Sequence, residues 1–182
     1  MKRIAVFVLL LSLLTGCGAQ TKLQATELPE TMPEDFSIRF IFWVDMLAPN
    51  IYDTEKGILQ KDMVAPDGQP TMQAPLTVPD ETRAEIYAKI REYSLDQLDS
   101  TPMTTAELST DDSRIGMTPL TEYDITFTAD GRTYAITGDD TAGSYPNDER
   151  AVAFCAFTDY MKTVFRDSDA YQSLPEAVSA YA

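Results

Sequence analysis

The segment YDITFTADGRTYAI, residues 123–136, joins two runs of alternating apolar and polar residues through an Asp-Gly pair. Apolar residues at every second position are typical of a strand with one buried face. Asp130-Gly131 is a favoured two-residue hairpin turn, because both residue types tolerate a positive φ. This turn predicts two apolar cross-strand pairs on one face: Phe127 with Tyr134, and Ile125 with Ile136. The segment therefore predicts an antiparallel hairpin.

A further strand is predicted upstream, in FSIRFIFWV, residues 36–44. Its alternate positions carry Phe, Ile or Val, which makes one face wholly apolar. Ile41 and Trp43 lie on the other face. We therefore expect this strand to be central in its sheet, or covered on both sides.

A second hairpin follows this strand. Residues 55–57 predict a short turn, in which Gly57 is free to take a positive φ, between strands at residues 51–54 and 58–64. Residues 65–74 are polar and include two prolines, so they predict a loop.

Two helices are predicted. The first opens at Thr77, with Asp80 three residues later in the manner of a capping box, and ends near Ser94. The second is capped by Asn147. Between the first helix and the hairpin, residues 95–120 predict an irregular excursion that hides a short element or carries function. Both helices have buried faces at helical spacing: Ile86, Tyr87, Ile90 and Tyr93 in the first, and Phe154, Cys155, Phe157, Thr158, Met161, Val164 and Phe165 in the second.

The order of these elements is β-β-β-α-β-β-α. Runs of antiparallel strands, each run followed by a helix, indicate an α+β fold. We expect an antiparallel sheet of about five strands with two helices packed on one face, as a single domain over residues 36–182.

The first twenty residues, MKRIAVFVLLLSLLTGCGAQ, have the order of a secretory signal: Lys2 and Arg3, an apolar run at 4–14, then small residues. The run is about half of the ~20 residues that span a bilayer. The ending LTGC resembles the lipobox of bacterial lipoproteins, which implies cleavage before Cys17 and lipid on that residue. A secretory signal without lipidation is the alternative.

This resemblance implies a signal peptide at 1–16, lipidated Cys17, and location on the extracytoplasmic face of the cell membrane. Residues 17–35, rich in Thr, Glu, Gln and Pro, predict a disordered tether. The membrane would be contacted through the lipid, since several acyl chains anchor stably where one does not.

Composition excludes several classes of function. The formal charge is −15, and removing Lys2 and Arg3 with the signal takes it to −17, so nucleic acid is not an expected partner. The chain has no histidine, which excludes Ser-His-Asp and Cys-His catalysis and zinc sites that use histidine. With Cys17 lipidated, Cys155 has no partner for a disulfide, and we expect it to be a buried structural residue.

The segments FSIRFIFWV, NIYDTEKGILQKDMV, LTVPDETRAEIYAKI and AYQSLPEAVSAYA resemble small exported lipoproteins of Gram-positive gut bacteria that carry a domain of unknown function. The likeness spreads over most of residues 36–182. It implies no activity, cofactor or catalytic residue.

Carboxylates are the main candidates for chemistry. A pair among Asp53, Asp62, Asp139 and Asp140 would suit glycoside hydrolysis, which needs two carboxyl groups and no histidine. The oxygen-rich run from Asp139 to Asp148 would suit Ca²⁺, but its spacing is not that of an EF-hand. We expect no metal and no cofactor.

Aromatic residues are the candidates for binding. Trp43, Tyr52 and Tyr145 are predicted to contact a ligand, with Trp43 foremost because it lies on the minority face of its strand. The sequence thus predicts a lipid-anchored extracytoplasmic domain that binds an unknown protein, peptide or glycan. The alternative hypothesis is a carboxylate-dependent envelope enzyme such as a glycan hydrolase.

Overall fold

The computed structural model describes residues 22–63, 71–109 and 119–177. The strands are β1 (Ser37–Val44), β2 (Asn50–Asp53), β3 (Ile58–Asp62), β4 (Thr71–Pro75), β5 (Thr121–Ala129) and β6 (Arg132–Asp139). The helices are α1 (Asp80–Glu92), α2 (Thr105–Leu108), α3 (Glu149–Asp167) and α4 (Asp169–Gln172), with 3₁₀ turns at Leu95–Leu98 and Asp140–Ser144. The strands form one antiparallel sheet in the order β4-β3-β2-β1-β5-β6, which confirms the α+β fold.

The β5–β6 hairpin has the predicted register. Phe127 pairs with Tyr134 and their rings stack at 4.7 Å between centroids, while Ile125 pairs with Ile136 one row further on. The turn residues Asp130 and Gly131 have φ of 54° and 74°. These values are those of the mirror-image turn that matches the twist of the two strands.

The main core lies between one face of the sheet and the helices α1 and α3. Phe40 of β1 is completely buried, and Tyr123 of β5 stacks beside it. Phe154 of α3 meets Tyr123 edge-on, and Tyr87 of α1 meets Phe36 in the same way. Both long helices therefore cover the face that the alternating pattern marks as apolar.

The sheet has a sixth strand that the sequence did not predict. Residues 71–75, most of which fall in the predicted loop at 65–74, form β4 and pair with β3. Of this strand only Ala74 is buried, so it carries little apolar signal. Its pairing is extended by Leu76, whose N–H donates to the carbonyl of Gly57 at 2.8 Å. These residues form a strand because they pair with the free edge of β3, and not because of their local strand propensity.

Both predicted helix caps are corrected. The residue before α1 is Pro79, and no side chain caps this helix, so Thr77 is not a cap. The cap of α3 is Asp148 rather than Asn147, and its carboxylate accepts from the N–H groups of Arg150 and Ala151. The side-chain hydrogen bond from Arg150, at 2.7 Å, lowers the pKa of Asp148. Asn147 is uncharged and cannot form such an ion pair, which favours Asp148 as the cap.

The predicted disordered tether at 17–35 is corrected from residue 22 onward. Leu28 is only 6% exposed and belongs to the core. The N–H of Glu27 donates to Asp96 at 2.9 Å, and the carboxylate of Asp35 accepts from both N–H groups of the β5–β6 turn. The domain therefore begins well before residue 36. Residues 17–21 lie outside the described residues.

The predicted excursion at 95–120 contains short helical elements and protects an edge of the sheet. The N–H of Ser100 donates to Ala135, and that of Met103 donates to Thr137, both at 2.8 Å. In return, the N–H of Asp139 donates to the carbonyl of Met103. The outer edge of β6 is thereby paired, which removes a site for unwanted strand addition. The part of the excursion at 110–118 lies outside the described residues.

Candidate ligand-binding surface

The sheet face opposite the helices is largely polar with an apolar centre. Threonines and acids dominate its β5 and β6 positions, including Glu122, Asp124 and Thr126. On β1 the side chains of Ile41 and Trp43 lie on this face, as the alternation predicts. We call this surface the open face, because α1 and α3 pack on the other side.

An apolar hollow of about 460 Å³ lies at one end of the open face, and we call it the Trp43 hollow. Its side chains come from the end of β1 and the turn that follows. Met46, in that turn, is 99% exposed. The lining residues are Ile41, Trp43, Asp45, Met46, Leu47 and Pro49.

Hydrogen bonds fix the turn that forms this hollow. The N–H of Asp45 donates to the carbonyl of Leu120 at 2.9 Å, and the Asp45 carboxylate accepts from the N–H of Leu120 at 3.1 Å. Asp45 has a φ of 47°, a conformation that Asp tolerates better than most residues. On the other side, the side-chain amide of Gln60 donates to the carbonyl of Pro49. The turn is therefore held from β5 and from β3.

Trp43 is oriented by an acid on the adjacent strand. Its indole Nε1 donates to the Glu122 carboxylate at 3.3 Å, and the two residues are directly paired between β1 and β5. The ring is partly exposed, whereas Ile41 beside it is buried. Trp43 therefore presents an aromatic surface, and hydrogen bonds hold carboxylates in place beside it.

The three aromatic residues predicted to bind a ligand do not share a surface. Tyr52 is 1% exposed and lies on the helix side of the sheet, where it lines a cleft between α1 and α3. Tyr145 is half-buried and packs against the core beyond the turn at Asp140–Ser144. Only Trp43 lies on the open face.

Two of the four candidate carboxylates, Asp62 and Asp139, lie too far apart for a hydrolytic pair. Asp62 of β3 and Asp139 of β6 lie four strand positions apart in the sheet order, which is roughly 19 Å at about 4.8 Å per strand. Glycosidase carboxyl groups lie about 5–9.5 Å apart. Asp53 is buried and pairs with Arg39 at 3.5 Å.

Asp139 and Asp140 have structural partners. Asp139 accepts from the N–H and the hydroxyl of Thr141. Asp140 accepts from the hydroxyl of Tyr123 at 2.6 Å. Among the described residues, no group of three or more Asp, Glu or Cys side chains is placed to hold a metal ion.

Cys155 lies on α3 and packs against the core, half-buried. Burial, with smaller contributions from the Asp159 and Asp140 carboxylates, raises the pKa of its thiol to about 11. A thiol with so high a pKa is a poor nucleophile at neutral pH.

The residues that complete the Trp43 hollow were not predicted as ligand contacts. The run Leu47-Ala48-Pro49-Asn50 reads as a connection between strands. Its one signal is composition, since Met46 and Leu47 are apolar residues in a turn, where polar residues are expected.

None of the helices in the described parts of the chain is long and apolar enough to cross a membrane. No protein-family model, curated protein or solved structure matches this chain.

Proposed function

We propose that this chain is a lipid-anchored extracytoplasmic binding protein, and that it binds a glycan at the Trp43 hollow. The observation that carries the proposal is the hollow itself. It is an exposed apolar concavity on a face that is otherwise threonine-rich and acidic. Concave surfaces with a few fixed polar groups are the usual form of ligand sites.

The chemistry around Trp43 favours a sugar over a nucleic acid or an anionic surface. A pyranose has an apolar C–H face, which can lie against the indole ring, and hydroxyls at its rim. Glu122 and Asp45 place carboxylate acceptors at the edge of the indole and in the hollow. The same carboxylates repel anions. Peptides and proteins are the alternative ligands.

The anchor part of the proposal rests on the sequence at Cys17 and on the length of chain that follows it. Packing begins at Leu23, so the five residues 18–22 separate Cys17 from the folded domain. Five residues reach at most about 18 Å. The domain would therefore be held close to the membrane surface rather than on a long tether.

Trp43 is the chain's one tryptophan, so intrinsic fluorescence reports directly on the hollow. The protein is titrated with soluble peptidoglycan fragments and with chitotetraose. A separate titration with an apolar tetrapeptide tests the alternative of a peptide ligand. We expect a saturable emission change with the glycans. A saturable change with the tetrapeptide alone would replace the glycan with a peptide ligand.

Two methionines provide a matched pair of variants. Met46→Ala removes an exposed side chain from the hollow, and Met72→Ala removes an exposed side chain from β4. We expect Met46→Ala to weaken glycan binding at least threefold and Met72→Ala to leave it unchanged. Equal effects of the two variants on glycan binding, or no emission change with any probe, would contradict binding at the Trp43 hollow.

The anchor has an independent test. Cys17→Ala should move the protein from the membrane fraction to the soluble fraction after cell lysis. Retention of this variant in the membrane fraction would contradict lipidation and leave the binding proposal to be judged on its own.

A further inference from the structure

A second concavity, of about 370 Å³, lies on the helix side of the sheet, far from the Trp43 hollow. We call it the tyrosine cleft. Its walls are the first half of α1, through Thr82 and Glu85, and the last third of α3, through Tyr160 and Asp167. Tyr52 of β2 also lines it.

One tyrosine of the cleft has a buried hydroxyl without a hydrogen-bond partner in the described part of the chain. This is Tyr160. Tyr52 beside it is 99% removed from solvent as a whole residue. Buried polar groups normally have partners, and an unpaired one calls for a bound group. Burial raises the pKa of both tyrosines, so both remain protonated at neutral pH.

The charge of the cleft is negative. Its acidic residues are Glu85, Asp167 and Asp169, and the described residues that line it include no lysine or arginine. None of these acids forms an ion pair with a described residue. The nearest base to Tyr160 on α1, Lys89, is paired to Glu92 at 2.7 Å.

Three helix ends meet at the cleft: the C-terminal end of α3 and the N-terminal ends of α1 and of the four-residue α4, whose first residue, Asp169, is itself an acid. The C-terminal end of α3 carries the negative end of its dipole, which favours a cation. The N-terminal end of α1 favours an anion, but Asp80 and Glu81 already occupy its first turn. The net field in the cleft therefore favours a cation.

We propose that the tyrosine cleft binds an alkylammonium ion. Its N–H groups would donate to the carboxylates of Glu85 and Asp167 and to the Tyr160 hydroxyl oxygen, while its carbon chain would lie against the tyrosine rings and Leu76. This proposal is independent of glycan binding, because the two sites lie on opposite sides of the sheet.

Three five-carbon probes test the charge preference: cadaverine, 1,5-pentanediol and glutarate, each titrated by calorimetry. We expect saturable binding of cadaverine alone. In ¹H–¹⁵N spectra, the amides of Thr82, Glu85 and Thr163 should shift, while that of Thr133 on β6 should not. A Gly-Lys-Gly peptide distinguishes a lysine side chain from a free amine as the source of the ammonium group, and binding of either supports the proposal.

Variants localise the contacts. We expect Glu85→Gln and Asp167→Asn each to weaken cadaverine binding roughly three- to tenfold, since charge-assisted hydrogen bonds are the strong ones. Tyr160→Phe removes only a hydroxyl and should weaken binding about threefold. The matched controls are Glu55→Gln, at the exposed β2–β3 turn, and Tyr134→Phe on β6, which should bind as the parent does.

Several results would overturn the proposal. Binding of glutarate in preference to cadaverine would show that the α1 N-terminus determines the ligand. Equal binding of cadaverine and pentanediol, or unchanged cadaverine affinity in both carboxylate variants, would remove the role of charge. No binding of any probe would show that the unpaired Tyr160 hydroxyl contacts only water.

Discussion

The two faces of the sheet use the same strands for different purposes. On β1, Phe40 on the helix side is completely buried among aromatic rings, whereas Trp43 on the open face stays partly in solvent and touches a hollow. The helix face is filled around Phe40, apart from the tyrosine cleft, and its side chains hold the fold together. The open face has room at one end, and a site there can change without loss of the core. The contrast locates most of the stability on the helix face and the proposed glycan site on the open face.

The largest expected effect comes from removing a ring from each face. Phe40→Ala should lower the free energy of unfolding by about 3–5 kcal/mol, because it deletes a buried ring and leaves a cavity. Trp43→Ala should cost less than about 1.5 kcal/mol, because that ring is already partly hydrated. Urea denaturation of both variants measures the difference. Similar costs would mean that the open face is part of the core.

The next largest effect is expected at alkaline pH, which should lower the free energy of unfolding through tyrosines on the helix face. Burial raises the pKa of Tyr52 and Tyr123 above the ordinary value of 10.0, and the hydrogen bond to Asp140 raises that of Tyr123 further. The unfolded chain loses these protons above pH 10 while the folded protein keeps them. This stability is therefore present below pH 10 and lost as pH rises, by about 1.4 kcal/mol per tyrosine at pH 11.

Urea denaturation at pH 9, 10 and 11 checks this loss. Tyr52→Phe should flatten the decline between pH 10 and 11, and Tyr93→Phe, at the end of α1, is the matched control. A decline unchanged by Tyr52→Phe would assign the alkaline loss to other groups.

A smaller contrast comes from enlarging one side chain on each face of β6. At Gly138, on the helix face, a Cβ would lie 2.5 Å from the Phe154 ring and 2.7 Å from the Met103 carbonyl oxygen. Gly138→Ala should therefore cost about 1–3 kcal/mol. Ala135→Val, on the exposed side of the same strand, should be near neutral, because β-branched residues suit strands.

Amide hydrogen exchange sharpens the same comparison. In Gly138→Ala the N–H of Met103 should exchange faster, since the segment that pairs with β6 is displaced. Unchanged exchange would mean that Phe154 alone absorbs the added carbon.

The last contrast concerns the reactivity of the thiol on α3 rather than stability. With its pKa raised to about 11, against 9.0 for an ordinary thiol, Cys155 should react with iodoacetamide about a hundredfold more slowly at pH 8 than it does in the unfolded chain. The Cys17→Ser variant, alkylated with and without urea and followed by mass spectrometry, measures the ratio. Equal alkylation rates with and without urea would show that the folded protein does not protect the Cys155 thiol.

Local patterns predicted the parts of the fold in which neighbouring residues decide the outcome. The β5–β6 register follows from Asp130-Gly131 and the alternation on either side, because turn geometry fixes which residues face each other. The face of β1 that carries Trp43 follows from alternation alone, because successive side chains of a strand point to opposite faces. Helix spacing likewise predicted the buried residues of α1 and α3, including Phe154 and Ile86.

Long-range contacts decided most of what the patterns missed. Residues 71–75 form a strand because β3 offers an edge, and Leu28 is buried because it packs into the core that later elements build. The partners of residues 71–75 and of Leu28 lie far from them in the chain. The choice of Asp148 over Asn147 as a cap is local by contrast, because its ion-pair partner Arg150 lies two residues further on.

The sequence by itself determined the α+β class, the hairpin register and the residue, Cys17, on which the anchor proposal rests. Only the tertiary structure decided that Trp43 and Tyr52 lie on opposite sides of the sheet, one in an apolar hollow and the other in an acidic cleft. The physical reason is that period-two alternation assigns a side chain to a face, whereas the shape and charge of its surroundings come from elements distant in the chain.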